Sequence, residues 1–266
     1  NGTAPGLHAR LQQTDIFCLP GPPREMMPMF EACVVPVIRT DPHHAITTRV
    51  LQTFGLPEAE IGTRLADLMQ RGTNPIVGTT ASGGVVSVRI RYEGDADLGK
   101  RAIADTENAV RERLAPHVFG SESDSLAAVV VRTLAQRNQR IVTAESCTGG
   151  TLAGAITSIS GSSEVFDTGL VTYANATKSE LLGVPSEMLE SHGAVSEPVA
   201  RAMAEGALRS PSGASAHHAL STTGIAGPIG GTDSKPVGTV FIARASRSGT
   251  SFETEVRRFQ ISGGRA

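Results

Sequence analysis

The stretch that most constrains the fold is the run from Thr143 to Gly150, because it stands between a strand pattern and a helix pattern. Residues 140–143 are typical of a short apolar strand, and the segment 149–159 carries apolar residues at helical spacing. Ser146 and Cys147 therefore fall at a strand-to-helix junction. Unpaired backbone N–H groups at a helix start can stabilise an oxyanion or bind a phosphate. The simpler interpretation is a helix cap, which serine and threonine commonly provide.

The composition is that of an ordinary globular chain. With 266 residues it can form one large domain or two to three small ones, and 39% hydrophobic residues with a net charge of −2 permit a real core. No basic excess favours nucleic acid as a partner, and no apolar run approaches the ~20 residues of a membrane span. The three cysteines lack metal-ligand spacing, which suggests reduced thiols and a cytoplasmic location.

Strand and helix patterns divide the chain into three parts. Residues 1–37 are rich in loops and contain one predicted helix that continues to Val37; we expect the chain to begin inside a domain. Residues 38–120 combine strands with an amphipathic helix and a long charged helix, which indicates a small α/β unit with a spacer role. Residues 121–266 alternate helices and strands and end in a predicted hairpin, so we expect a layered α/β domain.

Polar or glycine-rich segments follow predicted strands in the third part, at residues 146–147, 171–178, 222–231 and 235–240. In layered α/β folds, ligands gather at the ends of strands. The glycine-rich loop at 222–231 could hold a phosphate with its backbone amides. It matches neither the P-loop nor the dinucleotide fingerprint, and a tight turn is the simpler explanation.

A serine nucleophile at position 146 needs a base, because a serine hydroxyl is barely ionised at neutral pH. The Gly-x-Ser-x-Gly elbow is absent, which disfavours the common hydrolase triad. Lys178 and Tyr173 are the candidate activating groups, since burial can lower the pKa of a lysine enough for it to act as a base. A solvated lysine and a packed aromatic ring are the ordinary alternatives. Cys147 is a rival nucleophile, for which a buried inert thiol is the simpler interpretation.

The seven histidines show no metal-binding pattern. Two pairs are adjacent in the sequence, and neighbouring residues of a strand point to opposite faces. No cysteine or carboxylate spacing supports them, so we expect no metal site among them.

Several ordered segments together resemble the CinA family (competence/damage-inducible protein A): residues 143–150, 161–163, 171–175, 192–197, 224–228 and 235–240, with Lys178. The match over residues 121–266 is similar to the family's C-terminal nicotinamide mononucleotide deamidase domain. Residues 38–120 resemble its small KH-type connecting domain. Residues 1–37 are similar to the end of its molybdopterin-binding-like α/β domain.

The resemblance implies an amidohydrolase that converts nicotinamide mononucleotide and water to nicotinate mononucleotide and ammonia, in NAD salvage, without a metal. Ser146 would be the nucleophile, and Tyr173 and Lys178 would activate it and move its proton. The implied phosphate partner is Arg265. The implied substrate-binding residues are Glu145, Cys147, Thr148, Gly149, Thr223, Gly224, Gly227 and Arg265.

The resemblance also carries wider expectations. The family's N-terminal domain resembles an ADP-ribose pyrophosphatase that depends on divalent metal and potassium. A catalytically silent nucleotide-binding protein linked to competence or DNA damage is another alternative. A homodimer with a small-molecule nucleotide substrate is the expected assembly. Gly264 stands where the family often has Asp, and the family continues into a further helix after the position of Ala266.

Overall fold

The computed structural model describes residues 4–38 and 45–261, and the chain divides into two compact units, residues 1–118 and 119–266. Each unit has its own β-structure and its own apolar core. The three-part boundaries expected from the sequence stay a prediction.

The first unit begins with a hairpin and a helical segment. Strands β1 (Leu7–Leu11) and β2 (Thr14–Cys18) pair antiparallel. Helix α1 (Pro23–Met29) starts on a proline, whose fixed φ suits the first helical turn. The helix predicted to reach Val37 changes geometry on the way, with a π-helical turn followed by a 3₁₀ turn that ends at Val37.

The rest of the first unit is a sheet covered by a long helix. Its elements are β3 (Ala45–Phe54), α2 (Glu58–Arg64), β4 (Ile76–Ser82), β5 (Val85–Gly94), α3 (Ala96–Leu114) and β6 (Val118–Ser121). Strands β3, β4 and β5 pair antiparallel, and the edge strand β6 begins at the last residue of the unit. The strand order is β4-β5-β3-β6. Helix α3 packs on β3 and β5, and its Val110 and Leu114 join Leu51 and Val88 in the core. The amphipathic helix that the apolar spacing predicts over residues 57–70 is α2, and it ends already at Arg64, because the backbone leaves helical geometry at Leu65.

The second unit alternates helices and strands. Its elements are α4 (Leu126–Gln136), β7 (Ile141–Glu145), α5 (Thr151–Thr157), β8 (Phe166–Val171), α6 (Asn175–Leu182), α7 (Ser186–His192), α8 (Glu197–Arg209), β9 (His218–Gly224), β10 (Thr239–Ser248) and β11 (Ser251–Gln260). The sheet has the order β11-β10-β9-β7-β8. Strand β7 runs parallel to both neighbours, whereas β10 and β11 form the predicted antiparallel hairpin.

Side-chain alternation along the central strands sorts the helices into two outer layers. Val142 and Ala144 of β7 belong to the core beneath α8. Ile141 and Leu220 face the other way, into the core that α4 and α5 cover. The second unit is therefore a three-layer α/β domain, and the α/β fold class expected from the sequence is confirmed.

The parallel pairing of β8, β7 and β9 brings their carboxyl ends to one edge of the sheet. Ser146 directly follows β7, Tyr173 is the second residue after β8, and Gly224 ends β9. Three of the polar segments singled out from the sequence therefore meet at this edge, as expected of ligand sites in such folds.

Candidate active site

A cleft of about 270 Å³ opens at this edge of the sheet. Seven of the site residues expected from the sequence line it: Ser146, Cys147, Tyr173, Lys178, Thr223, Gly224 and Gly227. Glu145, Thr148 and Gly149 are not part of its lining. The cleft is of a size that takes part or all of a small molecule.

The centre of the cleft is a contact between a hydroxyl and an amine. The Lys178 Nζ atom lies 3.2 Å from Ser146 Oγ, and the two side chains are buried, with Lys178 only 1% exposed. Lys178 Nζ also donates to the carbonyl oxygens of Thr172 at 2.9 Å and of Tyr173 at 3.1 Å. Helix α6 supplies the lysine, and the end of β7 supplies the serine, so the contact joins separate elements.

The three partners of Lys178 suit a neutral amine as well as an ammonium group. An ammonium group can donate one N–H to each of the three partner oxygens. A neutral amine can donate to the two carbonyl oxygens and accept from the Ser146 hydroxyl with its lone pair. Burial lowers the pKa of Lys178 from its usual value of 10.5, and the nearby Cys147 thiol acts in the opposite direction. The site therefore favours loss of the lysine proton, which a general base requires.

The turn after Ser146 presents its backbone amides in a defined pattern. Ser146 N–H donates to the Thr222 carbonyl oxygen at 2.9 Å, and Gly149 N–H donates to the Ser146 carbonyl oxygen at 3.1 Å. Gly149 and Gly150 have φ values of 58° and 99°, in the left-handed region that favours glycine. This tight turn delays helix α5 to Thr151, although the helical pattern in the sequence begins at residue 149.

Glu145 lies beneath the turn and is fully buried. Its carboxylate accepts hydrogen bonds from the N–H groups of Gly150, Leu152 and Ala153 at 2.8–3.1 Å. Glu145 was expected to contact substrate, but its two carboxylate oxygens are directed to the start of α5 instead. Among the described residues, the N–H groups of Cys147 and Thr148 donate to no oxygen atom, and both lie near the Cys147 sulfur.

Cys147 is half-buried next to the nucleophile candidate. Burial raises the pKa of its thiol above the usual value of 9.0; the nearby Glu145 carboxylate adds to this rise, whereas the N–H groups of Cys147 and Thr148 and the Lys178 amine oppose it. A thiol with a raised pKa is mostly protonated at neutral pH, and the thiolate is the reactive form. Ser146 is the better-supported nucleophile candidate because its hydroxyl contacts the Lys178 amine.

Strand β9 and the loop after it form another wall. The Thr223 hydroxyl donates to the Ala194 carbonyl oxygen at 2.8 Å, so this hydroxyl can offer a ligand only its acceptor lone pairs. A Cβ atom added at Gly224 would lie 2.8 Å from a Val240 methyl carbon and 3.1 Å from Cys147 Sγ. Glycine at this position therefore lets the thiol and the strand end pack closely.

Some lining residues were not singled out as site residues from the sequence: Asn175, Ala194, Val195, Ile225, Ala226, Ile229 and Gly230. All of them lie within or next to the polar and glycine-rich segments that carry the resemblance, which was the available signal. Ile229 is 86% exposed and Tyr173 is 58% exposed, so the cleft has apolar surface at its mouth.

Like Glu145, Thr148 and Gly149 lie outside the cleft lining. Thr148 bonds through its hydroxyl to the Thr222 hydroxyl at 2.7 Å, and Gly149 shapes the turn through its backbone. Arg265 lies outside the described residues, and its role stays a prediction. Within residues 4–38 and 45–261, no group of three or more His, Cys, Asp or Glu side chains could hold a metal ion.

None of the helices in the described ranges combines the length and apolar character needed to cross a bilayer.

Two sequence models match this chain. The CinA C-terminal domain model matches residues 123–266, and the damage-inducible protein CinA KH domain model matches residues 48–120. A "Putative competence-damage inducible protein" from Caldicellulosiruptor bescii is 41% identical over 267 residues, covering 100% of this chain and 63% of that protein. Its counterpart from Symbiobacterium thermophilum is 46% identical over 251 residues, covering 92% of this chain and 58% of that protein.

A solved structure gives a further comparison. The crystal structure of a competence/damage inducible protein from Agrobacterium tumefaciens is 45% identical, with a TM-score of 0.48, and covers 53% of this chain and 82% of that chain. The present chain spans about three fifths of the length of the two relatives from Caldicellulosiruptor and Symbiobacterium. On the sequence matches across both units, the chain belongs to the CinA family.

Proposed function

We propose that residues 121–266 hydrolyse the carboxamide of nicotinamide mononucleotide to nicotinate mononucleotide and ammonia. The observation that carries the proposal is the buried Lys178 amine in contact with the Ser146 hydroxyl at the floor of a cleft. A serine paired with a lysine that can lose its proton is suited to attack on an amide carbonyl. The resemblance to the deamidase domain supplies the substrate.

In the proposed first step, Ser146 Oγ attacks the carboxamide carbon while its proton moves to the neutral Lys178 amine. The negative charge that develops on the carbonyl oxygen is met by the N–H groups of Cys147 and Thr148, which have no oxygen partner among the described residues. Preorganised donors of this kind are worth about 3 kcal/mol each in the transition state. The α5 amides bound by Glu145 take no part.

The tetrahedral intermediate then collapses. The Lys178 ammonium group returns the proton to the leaving nitrogen, ammonia departs, and an ester links the acyl group to Ser146. Water attacks this ester with Lys178 again accepting a proton, and the carboxylic acid leaves as Ser146 regains its own. Tyr173, whose side chain lines the mouth of the cleft, is proposed to assist transfer of the proton to the leaving nitrogen.

The exposed side chains of Ile229 and Tyr173 support a flat aromatic substrate, because both present apolar surface at the cleft mouth. The phosphate of the substrate is proposed to pair with Arg265, as the resemblance implies. The amides of α5 are a poor alternative for that phosphate, since the Glu145 carboxylate already accepts from three of these N–H groups.

The test is to incubate the full chain with nicotinamide mononucleotide and to measure ammonia together with the pyridine product by chromatography. The expected result is equal amounts of ammonia and nicotinate mononucleotide, with loss of both in Ser146→Ala. Ser158→Ala, at the exposed serine that follows α5, is the matched control and should keep its activity. Tight binding of the nucleotide without turnover would instead favour the silent binding protein.

A homodimer and a pyrophosphatase activity of the complete relatives' N-terminal domain, with divalent metal and potassium, remain proposals from the resemblance. ADP-ribose hydrolysis by a protein with that domain intact, lost when the domain is deleted, would support the second activity.

A further inference from the structure

Helix α5 starts without a cap of its own. Its N-cap position is Gly150, which has no side chain to accept a hydrogen bond from the first turn. The first N–H groups of any helix lack intrahelical partners and need an acceptor when they are buried. Here the acceptor is Glu145, five residues before the N-cap position.

The geometry of this cap is specific. Glu145 Oε2 accepts from Gly150 N–H at 3.1 Å and from Leu152 N–H at 3.0 Å, and Oε1 accepts from Ala153 N–H at 2.8 Å. The side chain is 0% exposed, so the helix amides and the positive end of the helix dipole stand in for water around the carboxylate. A buried carboxylate with partners on both oxygens has little freedom to move.

The hydrogen bonds of the Glu145 carboxylate constrain the turn that holds the nucleophile candidate. Residues 146–149 lie between Glu145 and the helix start that its carboxylate holds, so both ends of this turn are fixed. One end is fixed further by Ser146 N–H, which donates to the Thr222 carbonyl oxygen. The turn holds Ser146 Oγ and the two amides that have no oxygen partner among the described residues.

The backbone of Glu145 is connected to Lys178 through Thr172. The Glu145 carbonyl oxygen accepts from Thr172 N–H at 2.8 Å, and the Thr172 carbonyl oxygen in turn accepts from Lys178 Nζ at 2.9 Å. Side chain and backbone of Glu145 therefore connect to the nucleophile turn and to the lysine, respectively.

We propose that Glu145 is a positioning residue of the amidase site: its carboxylate sets the direction of the Cys147 and Thr148 amides toward the developing oxyanion. The inference rests on the proposed function. It assigns Glu145 an action through the turn and the helix rather than on the substrate, and it leaves the nucleophile and the base in place when the carboxylate is altered.

The test compares the full chain with Glu145→Gln. A glutamine offers one carbonyl oxygen, and its NH₂ group faces N–H donors where the carboxylate had a second acceptor. Amide hydrogen exchange of Gly150, Leu152 and Ala153 should accelerate by about tenfold or more, whereas exchange in β9 should not change. For ammonia release, kcat should fall by about 10- to 100-fold with KM within about threefold, because oxyanion donors act mainly in the transition state.

The matched control is Glu253→Gln, at an exposed glutamate of the edge strand β11, which should change neither readout. If Glu145→Gln does not fold, Glu145→Asp is measured in the same way, since it keeps the charge but reaches one methylene less far. Faster amide exchange with an unchanged kcat would mean that the carboxylate only caps the helix, and would overturn the proposal. Unchanged amide exchange at Gly150, Leu152 and Ala153 would show that the carboxylate does not hold the start of the helix.

Failure of the proposed function gives a different pattern. If the unaltered chain releases no ammonia, the substrate assignment fails, and the rate at which a fluorophosphonate labels Ser146 then replaces kcat. A slower labelling rate in Glu145→Gln would still support the positioning role, and an equal rate would overturn it.

Discussion

The amine of Lys178 and the hydroxyl of Ser146 lie 3.2 Å apart in a site where Lys178 is only 1% exposed. Its other hydrogen-bond partners in residues 4–38 and 45–261 are two main-chain carbonyl oxygens, which bring no formal charge. Burial without a carboxylate partner is the arrangement that most favours a neutral lysine. The pH dependence of the protein should follow from this relationship.

The activity should rise with pH as Lys178 loses its proton. Because burial lowers the pKa of Lys178 below 10.5, we expect the acid limb of kcat/KM to have an apparent pKa below that value. Lys178→Arg should abolish turnover over the whole range, since a guanidinium group stays protonated. Lys235→Arg, at a lysine whose amine donates to the His192 carbonyl, is the control and should keep the acid limb. A pH-independent rate would contradict this role.

Stability should also depend on pH through Lys178. Between its lowered pKa in the folded protein and the ordinary 10.5, the unfolded chain holds a proton that the folded chain lacks. Raising the pH through this window therefore stabilises the folded state, by up to about 1.4 kcal/mol per pH unit. Urea unfolding at several pH values should show the unaltered chain gaining stability relative to Lys178→Met. A constant difference between the two proteins would show that the folded lysine has its ordinary pKa.

The three thiols should react at two different rates. Cys18 and Cys33 are exposed, whereas burial raises the pKa of the Cys147 thiol. With iodoacetamide at mildly alkaline pH, we expect two fast modifications and one that is about tenfold slower or more. Mass spectrometry of the modified peptides identifies the slow site, and Cys147→Ala should remove that phase alone. Three equal rates would mean that Cys147 is as accessible as the others.

Ile229 should contribute to binding more than to chemistry. Its side chain is 86% exposed at the cleft mouth, so contact with a substrate ring would bury apolar surface that the free protein leaves in water. Ile229→Ser should raise KM for nicotinamide mononucleotide by about fivefold, with kcat changed much less. Ile46→Ser, at an isoleucine that is 59% exposed in the first unit, serves as the control. Equal KM values in the Ile229 variant and the unaltered chain would show that Ile229 does not contact the substrate.

Much of the site's location could be predicted from the sequence, because strand ends in a parallel sheet meet at one edge. The patterns around Ser146, Tyr173 and Gly224 each predicted a strand followed by a polar segment, and those segments line one cleft. The short helix α7 was not predicted, since its seven residues give little periodicity. Helix α5 begins later than predicted because Gly149 and Gly150 adopt positive φ first.

The roles of Glu145 and Lys178 depend on contacts that no sequence pattern specifies. The Glu145 carboxylate binds backbone amides of the following helix, and such partners leave no residue-type signal. Lys178 is buried because α6 packs against α8, and two of its three partners are main-chain carbonyls. A lysine in a helical pattern is ordinarily expected to be solvated, so only the packed structure distinguishes this one.

The most direct test of the central claim is a double-mutant cycle on ammonia release from nicotinamide mononucleotide, with Ser146→Ala, Lys178→Met and both together. A nucleophile and its base act as a unit, so each single change should cost about 10³-fold or more, and the double variant should be hardly worse than either. Additive losses would contradict the paired mechanism. Turnover that survives in Ser146→Ala would contradict the nucleophile itself.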